Sequence, residues 1–225
     1  MRRAAFTAAC AIVAACALCG AGPATSGQAN APLLDALQKR WAAIDDYTAT
    51  IVAHEVDGDR VEDRTMRFWF RKPDRAKLQM TGGGGPSSVL VWKGGSNVRV
   101  KVGFFTLSFD LHSPTINSIR GNTMLRPDLT STLVCFQSHR DAVKQATGPE
   151  IGGKPTHTLT LAIPGGLGCP GDSATDHDVD RDVLTLRDED NLVVLRERYV
   201  GSSVVEHWEL HDVRTNVGLS DDDFR

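Results

Sequence analysis

The stretch FWFRKPDRAKLQM, Phe68 to Met80, decides the fold of this chain. Two alternating runs meet in it at a Lys-Pro pair, with Phe70 on the apolar face of the first run and Leu78 on that of the second. Because successive side chains of a strand point to opposite faces, each run predicts a β-strand with one apolar face. Proline cannot donate to a strand ladder, so the Lys-Pro pair marks the turn between the two strands.

The same alternation recurs on both sides of this stretch. It runs through residues 47–66 and 88–111 as consecutive hairpins, and again from 156 to 224, where the last run is NVGLSDDDF. Helical periodicity interrupts it twice, in PLLDALQKRWAAIDDY (residues 32–47) and from Pro127 to Ala146. The pattern predicts an α+β, mainly β fold: a strongly curved antiparallel sheet curled around two helices.

The N-terminal segment is typical of export. Arg2 and Arg3 precede a short, Ala-rich apolar run, which predicts a signal peptide over residues 1–26 and one domain over residues 27–225. We expect cleavage near Ser26 and a periplasmic product. The alternative is lipoprotein processing in VAAC, which would leave an envelope lipoprotein anchored through Cys16.

Composition narrows the classes of partner. The formal charge is −3, and loss of the two signal arginines makes it −5, so there is no basic footprint for nucleic acid. Outside the signal only Cys135 and Cys169 remain, and in an exported chain they are candidates for one disulfide. Two separate buried thiols are the alternative.

No arrangement of residues predicts catalysis. HWELH puts His207, Glu209 and His211 on one face of a strand, a spacing that zinc could use, but Trp208 and Leu210 on the other face must point to the core. The histidines therefore most simply face solvent. The Gly-rich loops lack the residues of a phosphate cradle or a nucleophile elbow. We therefore expect that the protein is not an enzyme and that it binds neither a metal ion nor a cofactor.

The concave face of the sheet remains as the candidate site. Two helices either fill this hollow or only cover it. If they cover it, burying an acyl chain of about 15 methylenes at about 0.8 kcal/mol each offers on the order of 12 kcal/mol. The residues expected to line the hollow are Met66, Phe68, Phe70, Leu78, Met80, Val98, Val100, Leu195, Tyr199, Trp208 and Leu210.

Three runs carry a family resemblance. LQKRWAAIDDYTATIVAHEV, FWFRKPDRAKLQM and SSVLVWKGGSNVRVKV resemble the front half of the LolA family of periplasmic lipoprotein carriers, whose relatives include LolB and regulatory lipoprotein sensors. The tail, from Asn191 to Phe224, is similar to the last strands of that family. The resemblance spans the chain from about Leu33 to Phe224.

The resemblance implies an unclosed antiparallel β-barrel with helices across its concave face as a lid, binding acyl chains of lipoproteins or lipids for transfer toward the outer membrane. It implies an inner-membrane transporter complex and an outer-membrane receptor as partners. Lys72 matches a family arginine that hydrogen-bonds the lid, so Lys72 and Trp41 are the expected lid contacts. Two other hypotheses are an envelope sensor or scaffold of the same fold and, with the least support, a metal-dependent hydrolase.

Overall fold

The computed structural model describes residues 31–83, 87–169 and 178–225. The expected signal peptide and Cys16 lie outside the described residues, so the periplasmic product and the lipid-anchored alternative stay predictions. In the described part of the chain, no helix is both long enough and apolar enough to cross a bilayer.

Within those residues the chain forms two α-helices and eleven strands. The helices are α1 (Pro32–Ala42) and α2 (Thr130–Ser138). The strands are β1 (Asp46–Asp57), β2 (Arg60–Arg71), β3 (Arg75–Gly83), β4 (Ser88–Trp92), β5 (Asn97–Val102), β6 (Phe105–Asp110), β7 (Val143–Thr147), β8 (Thr156–Ala162), β9 (Arg181–Arg187), β10 (Val193–Val200) and β11 (Ser203–Thr215).

All the strands belong to one antiparallel sheet. Its order is β6-β5-β4-β3-β2-β1-β11-β10-β9-β8-β7, and β6 and β7 form the two edges. The sheet curves without closing, which confirms the unclosed, mainly β architecture. Among the described strands, β6 and β7 are consecutive in the chain but not neighbours in the sheet: the chain passes from one edge strand to the other through residues 111–142, which cross the concave side.

The opening stretch forms the β2–β3 hairpin, as expected. Phe68 pairs with Leu78 and Phe70 with Ala76, so the apolar residues of both strands share the concave face. On the other side of β2, Phe70 pairs with Tyr47 of β1. The alternation therefore sets the register of three neighbouring strands at once.

Helix α1 covers one half of the concave face. Leu34, Leu37 and Trp41 are buried, and the Trp41 ring stacks on Phe70 with 6.3 Å between centroids. The Tyr47 ring meets Trp41 edge-on at 5.6 Å. Such aromatic pairs add to the stabilisation from buried area, so α1 is fastened at its C-terminal end.

The second helix is shorter than the sequence predicts. Helix α2 ends at Ser138, a 3-10 turn covers Arg140–Ala142, and the edge strand β7 begins at Val143. The predicted helical continuation to Ala146 is therefore wrong. Pairing of residues 143–147 with β8 determines their conformation, because tertiary contacts override weak local helical preference.

A disulfide joins Cys135 and Cys169. Cys135 lies on the buried side of α2, and the two Cα atoms are 5.0 Å apart. The bond ties α2 to the segment that follows β8. The candidate pair named from the sequence is thus bonded in the structure.

The C-terminal residues form no strand, in contrast to the prediction for NVGLSDDDF. They end in a 3-10 turn, Asp221–Phe224. The carboxylate of Asp46 accepts hydrogen bonds from the main-chain N–H groups of Val217, Gly218 and Leu219 at 2.7 to 3.0 Å. With these groups held by a side chain and Phe224 buried, the tail does not extend the ladder.

Candidate functional site

An apolar cavity of about 280 Å³ lies between the inner face of β2–β6 and residues 111–129, which we call the cover segment. The sheet supplies most of the wall, and the cover segment supplies the opposite side. The apolar lining residues are Met66, Leu78, Met80, Leu90, Val100, Val102, Leu107, Phe109, Ile116, Met124 and Pro127.

The structure brings five of the expected lining residues to this cavity: Met66, Leu78, Met80, Val100 and Trp208. The other residues of the wall differ in how far the sequence predicts them. Leu90, Leu107 and Phe109 continue alternations that are visible in VLVWK and FFTLSFDL. Residues from the cover segment carry no periodic signal, because that segment is neither helix nor strand.

Three further expected residues, Phe68, Phe70 and Val98, do face the concave side. They are at most 2% exposed and pack in the core rather than on the cavity. Helix α1 and its neighbours cover them, as the Trp41–Phe70 stacking illustrates. This half of the hollow is occupied by the protein's own side chains.

Leu195 and Tyr199 lie on the wrong face for the assigned role. On β10 the inner positions belong to Arg196 and Arg198, which are 7% and 0% exposed. The Tyr199 ring instead stacks against the Arg181 guanidinium at 3.8 Å. The expectation that these two residues line the hollow is therefore corrected: arginines replace apolar residues on the inner face of β10.

Leu210 lines a second, much smaller cleft beneath α1. The cleft has a volume of about 20 Å³, and Leu37, Trp41 and Val193 also border it. One water molecule already needs roughly 10–15 Å³, so this cleft cannot take a ligand chain. The hollow is thus filled under α1 and left partly vacant under the cover segment.

Lys72, one of the two expected lid contacts, touches the other, Trp41, at the C-terminal end of α1. Its ammonium donates to the main-chain carbonyl oxygen of Trp41 and lies 4.5 Å from the Trp41 ring centroid. The Trp41 indole N–H donates to Thr130 Oγ1 of α2 at 3.3 Å, and the Tyr47 hydroxyl donates to the carbonyl oxygen of Pro127 at 2.8 Å. These contacts connect α1, β1, α2 and the cover segment at one place.

A network of buried charges adjoins the cavity, and the sequence pattern does not predict it. Arg198 donates to Glu206 at 3.0 Å, and Arg196 holds Asp182 through two hydrogen bonds. Glu55 accepts from Arg64 at 2.9 Å. The pairings join β1, β2, β9, β10 and β11, so local patterns in the sequence cannot show them.

Two buried carboxyls of this network have opposite pKa shifts. Burial alone would raise the pKa of Glu206, but Arg198, Arg126 and Arg196 outweigh it and bring the pKa to about 2. Burial raises the pKa of Glu55, and the opposing effect of Arg64 is smaller. The two acids face each other across β1 and β11, so one ionised and one more readily protonated carboxyl share the site.

The cover segment is attached to the sheet through the same network. Glu62 accepts from the main-chain N–H of Ile119 at 3.0 Å, and Arg120 donates to the carbonyl oxygen of Val56 at 3.1 Å. Asn122 donates from Nδ2 to Glu55 at 3.2 Å. One end of the cavity is therefore closed by hydrogen bonds and ion pairs rather than by apolar packing.

His207, Glu209 and His211 form a ladder on the outer face of β11. Glu209 bonds both histidines, at 3.1 and 2.9 Å, and Glu197 of β10 bonds His207 at 3.1 Å. Burial lowers the pKa of His207, but the two glutamates outweigh burial and raise it overall. Among the described residues, no set of three or more acidic, histidine or cysteine side chains is placed to hold a metal ion.

An apolar tip stands beside the cavity at the β5–β6 hairpin. Gly103, with φ of +57°, forms the turn, and Phe104 and Phe105 after it are fully and 73% exposed. Val102 and Leu107, which flank the tip, both line the cavity. Arg99 and Lys101 are exposed on β5, and residues 98–109 contain no carboxylate. The tip is therefore apolar with a basic flank.

Comparison with known proteins finds similarity of fold but no similarity of sequence. No family model matches the chain, and no curated protein sequence matches it significantly. The crystal structure of MucB matches with 12% identity and a TM-score of 0.50, over 85% of this chain and 62% of MucB. The chain thus spans less than two thirds of MucB.

Two other similar structures have lower TM-scores. A LolA superfamily protein from Nitrosomonas europaea has 9% identity and a TM-score of 0.43, over 86% of this chain and 96% of that one. The lipoprotein LppX from Mycobacterium tuberculosis has 15% identity and a TM-score of 0.46, over 84% and 97%. At such low identities these similarities concern the fold alone, and the observed unclosed, curved antiparallel sheet is the fold that the LolA-like resemblance implied.

Proposed function

We propose that this protein binds an acyl chain of a lipoprotein or lipid in the cavity under the cover segment and carries it in the bacterial envelope, toward the outer membrane. One observation carries the proposal: the hollow of the curved sheet is left vacant between β2–β6 and the cover segment, and its wall there is mostly apolar. No catalytic group is needed for this activity.

The size of the cavity sets what it holds in this arrangement. Its volume of about 280 Å³ is close to the lower end of ligand pockets, roughly 300–1,000 Å³. The end of a single chain fits best, and eight buried methylenes would already contribute on the order of 6 kcal/mol. A longer chain requires the cover segment to move away from the sheet.

The hairpin tip supports exchange of the chain at a lipid surface. Phe104 and Phe105 offer aromatic area that is apolar and suited to the headgroup region of a bilayer. Arg99 and Lys101 beside them favour anionic lipid by about 1 kcal/mol each when close to the surface. Because Val102 and Leu107 line the cavity, insertion of the tip would place the cavity beside the acyl layer.

An inner-membrane transporter complex and an outer-membrane receptor are the proposed partners on either side of this transfer.

Mass spectrometry of an organic extract of the full-length protein, purified without detergent, tests the proposal. We expect about one acylated molecule for each protein molecule, and an intact-mass spectrum of the protein itself reports the processed N-terminus. After delipidation, the protein should bind a fluorescent fatty-acid probe. Lipid-free protein that also fails to bind the probe would refute the carrier function.

A second candidate is a sensor or scaffold that binds another envelope protein. Strand β6 favours it, since this strand exposes Phe105 and Leu107 and, in the part of the chain that the structure describes, pairs on one side only. Such an edge can accept a partner strand by main-chain hydrogen bonds. Capture of an acylated lipoprotein that is lost when its lipid is removed supports the carrier; capture that is unchanged supports the scaffold.

A further inference from the structure

A polar groove of about 350 Å³ opens on the outer face of the sheet, on the side opposite to the apolar cavity. Ala49 and Phe68 are buried on the inner face, so the residues next to them on β1 and β2 point outward. We call this space the outer groove. The side chains on its wall are those of Thr48, Thr50, Arg67, Trp69, Asp212 and Arg214.

A β-bulge in β11 interrupts the sheet at the outer groove. Thr48 pairs with Arg214 and Thr50 pairs with His211, so two residues of β11 oppose one residue of β1 between them. Asp212, one of these two, has a φ of +51°, which is uncommon for a residue other than glycine. A bulge bends its strand and redirects the side chains, which explains why the groove lies at this place.

Two guanidinium groups line the outer groove without forming an ion pair among the residues that the structure describes. They belong to Arg67 and Arg214, and both residues are exposed. Arg71 and Arg75, further along the same face, instead form ion pairs with Asp221. The C-terminal turn therefore neutralises the neighbouring arginines and leaves the two in the groove for another anion.

The two arginines lie on opposite sides of β1. Arg67 is the β2 partner of Thr50, and Arg214 is the β11 partner of Thr48. Because the two threonines share the outer face of β1, their hydroxyl-bearing side chains lie between the two arginine positions. The Arg67 guanidinium is also 5.1 Å from the centroid of the Trp69 ring, a cation–π contact that orients it.

This set of donors suits a phosphate group better than a carboxylate. Each guanidinium can donate two parallel hydrogen bonds to an oxyanion, and each threonine hydroxyl can donate one, which gives about six in total. A carboxylate offers roughly four acceptor sites on two oxygens, whereas a phosphate offers three strongly accepting oxygens. The carboxylate of Asp212, on the same wall, can accept from a hydroxyl or an amine attached to the phosphate.

We propose that the outer groove binds a phosphate group, held by Arg67 and Arg214 with Thr48 and Thr50 as further donors. Two sources share this chemistry: free phosphate, and a phospholipid headgroup, whose hydroxyl or amine would donate to Asp212. The outer groove lies on the other side of the sheet from the apolar cavity. The inference therefore goes beyond the proposed function and does not depend on it.

Isothermal titration calorimetry of the full-length protein with inorganic phosphate, glycerol 3-phosphate and acetate tests the site. We expect both phosphates to bind, and acetate to bind about tenfold more weakly or less, because it accepts fewer charge-assisted hydrogen bonds. Tighter binding of glycerol 3-phosphate than of inorganic phosphate identifies a headgroup as the ligand. Equal or tighter binding of inorganic phosphate identifies free phosphate.

Replacing Arg67 and Arg214 together by Met removes both guanidinium groups at exposed positions, where substitutions change stability little. We expect the affinity for phosphate to fall about tenfold or more. Arg67→Lys keeps the charge but loses the planar fork, so it should also bind phosphate more weakly than the native protein. Lys144→Met, exposed on β7, is the control for loss of a positive charge and should keep the native affinity.

The outcomes decide on the outer groove separately from the apolar cavity. If neither phosphate binds the native protein, if acetate binds as tightly as phosphate, or if the double Met variant keeps the native affinity, the phosphate site is wrong. A fluorescent fatty-acid probe should bind the double variant as it binds the native protein, since the cavity is lined by other residues. Failure of the native protein to bind that probe would count against the proposed function and leave the phosphate site standing.

Discussion

The ammonium of Lys72 donates to the main-chain carbonyl oxygen of Trp41 at the end of α1 and lies over the Trp41 ring. Burial lowers the pKa of Lys72, and the carboxylates of Asp128 and Asp45 oppose that effect. One side chain at the β2–β3 turn therefore holds the helix that covers the filled half of the hollow. Its position explains why the Lys-Pro pair matters beyond ending a strand.

Lys72→Met should loosen this fastening, because it removes the charged donor and keeps most of the side-chain volume. We expect the free energy of unfolding to fall by about 1.5–3 kcal/mol, the value of a hydrogen bond from a charged group. Release of a fatty-acid probe should become several-fold faster in a stopped-flow assay. Lys144→Met, at an exposed position on β7, is the control. Identical release rates for the two variants would refute a role of Lys72 in holding α1 and, through the Trp41–Thr130 hydrogen bond, the cover segment that precedes α2.

Replacing both Phe104 and Phe105 by Ser should impair binding to lipid vesicles without altering the fold, since both side chains are exposed. Sedimentation with vesicles that contain anionic lipid should show at least a several-fold loss of bound protein. Probe binding in solution should be retained. The control replaces Val61, also exposed but on the β1–β2 hairpin, by Ser. Equal sedimentation of both variants and the native protein would exclude the tip as the membrane contact.

Arg198→Met should be among the most destabilising substitutions in the protein. It leaves Glu206, which is 2% exposed, without its 3.0 Å partner and removes a cation near Asp182. Breaking a buried ion pair on one side costs about 3–5 kcal/mol. Urea denaturation measures the change. Arg99→Met on the exposed side of β5 should stay within about 0.5 kcal/mol of the native protein.

Acid should weaken the fold through Glu206. Its pKa of about 2 in the folded protein lies below the ordinary value of 4.5. The ionised carboxylate therefore stabilises the fold fully above pH 4.5, and this contribution is lost as the pH falls toward 2. Glu206→Gln should flatten the dependence of unfolding free energy on pH in that window.

Glu55→Gln provides the matched control for the acid experiment. Because burial raises the pKa of Glu55, its contribution is complete below pH 4.5 and is lost as the pH rises through the raised value. Glu55→Gln should still lose stability between pH 4.5 and 2, because Glu206 is unchanged in this variant. A native protein whose stability does not change between pH 4.5 and 2 would contradict the assignment of the ionised acid to Glu206.

The sequence predicted the strands of the front half well, because their alternation is regular. Phe68, Phe70 and Leu78 lie on the concave face, and the Lys-Pro pair is the turn. Alternation alone does not show whether a residue on the concave face borders a vacant space or packs in the core. Phe68 and Leu78 are cross-strand partners, yet only Leu78 borders the cavity. That difference depends on where α1 ends.

The error on β10 has a different cause. Leu195 and Tyr199 are the apolar members of LRERY, so a rule that puts apolar residues inside selects them. Arg196 and Arg198 take the inner face because Asp182 and Glu206 on neighbouring strands neutralise them. These partners are 14 and 8 residues away in sequence, beyond the range of a periodic pattern.

The affinity of a fluorescent fatty-acid probe for Met80→Trp, compared with that for Gln79→Trp, tests whether the acyl chain lies in this cavity. Met80 lines the cavity, whereas Gln79 is its neighbour on the opposite face of β3. We expect Met80→Trp, which fills the cavity, to weaken probe binding about tenfold or more and Gln79→Trp to leave it unchanged, with matching far-UV circular dichroism. Undiminished binding by folded Met80→Trp would contradict the claim that the acyl chain occupies this cavity.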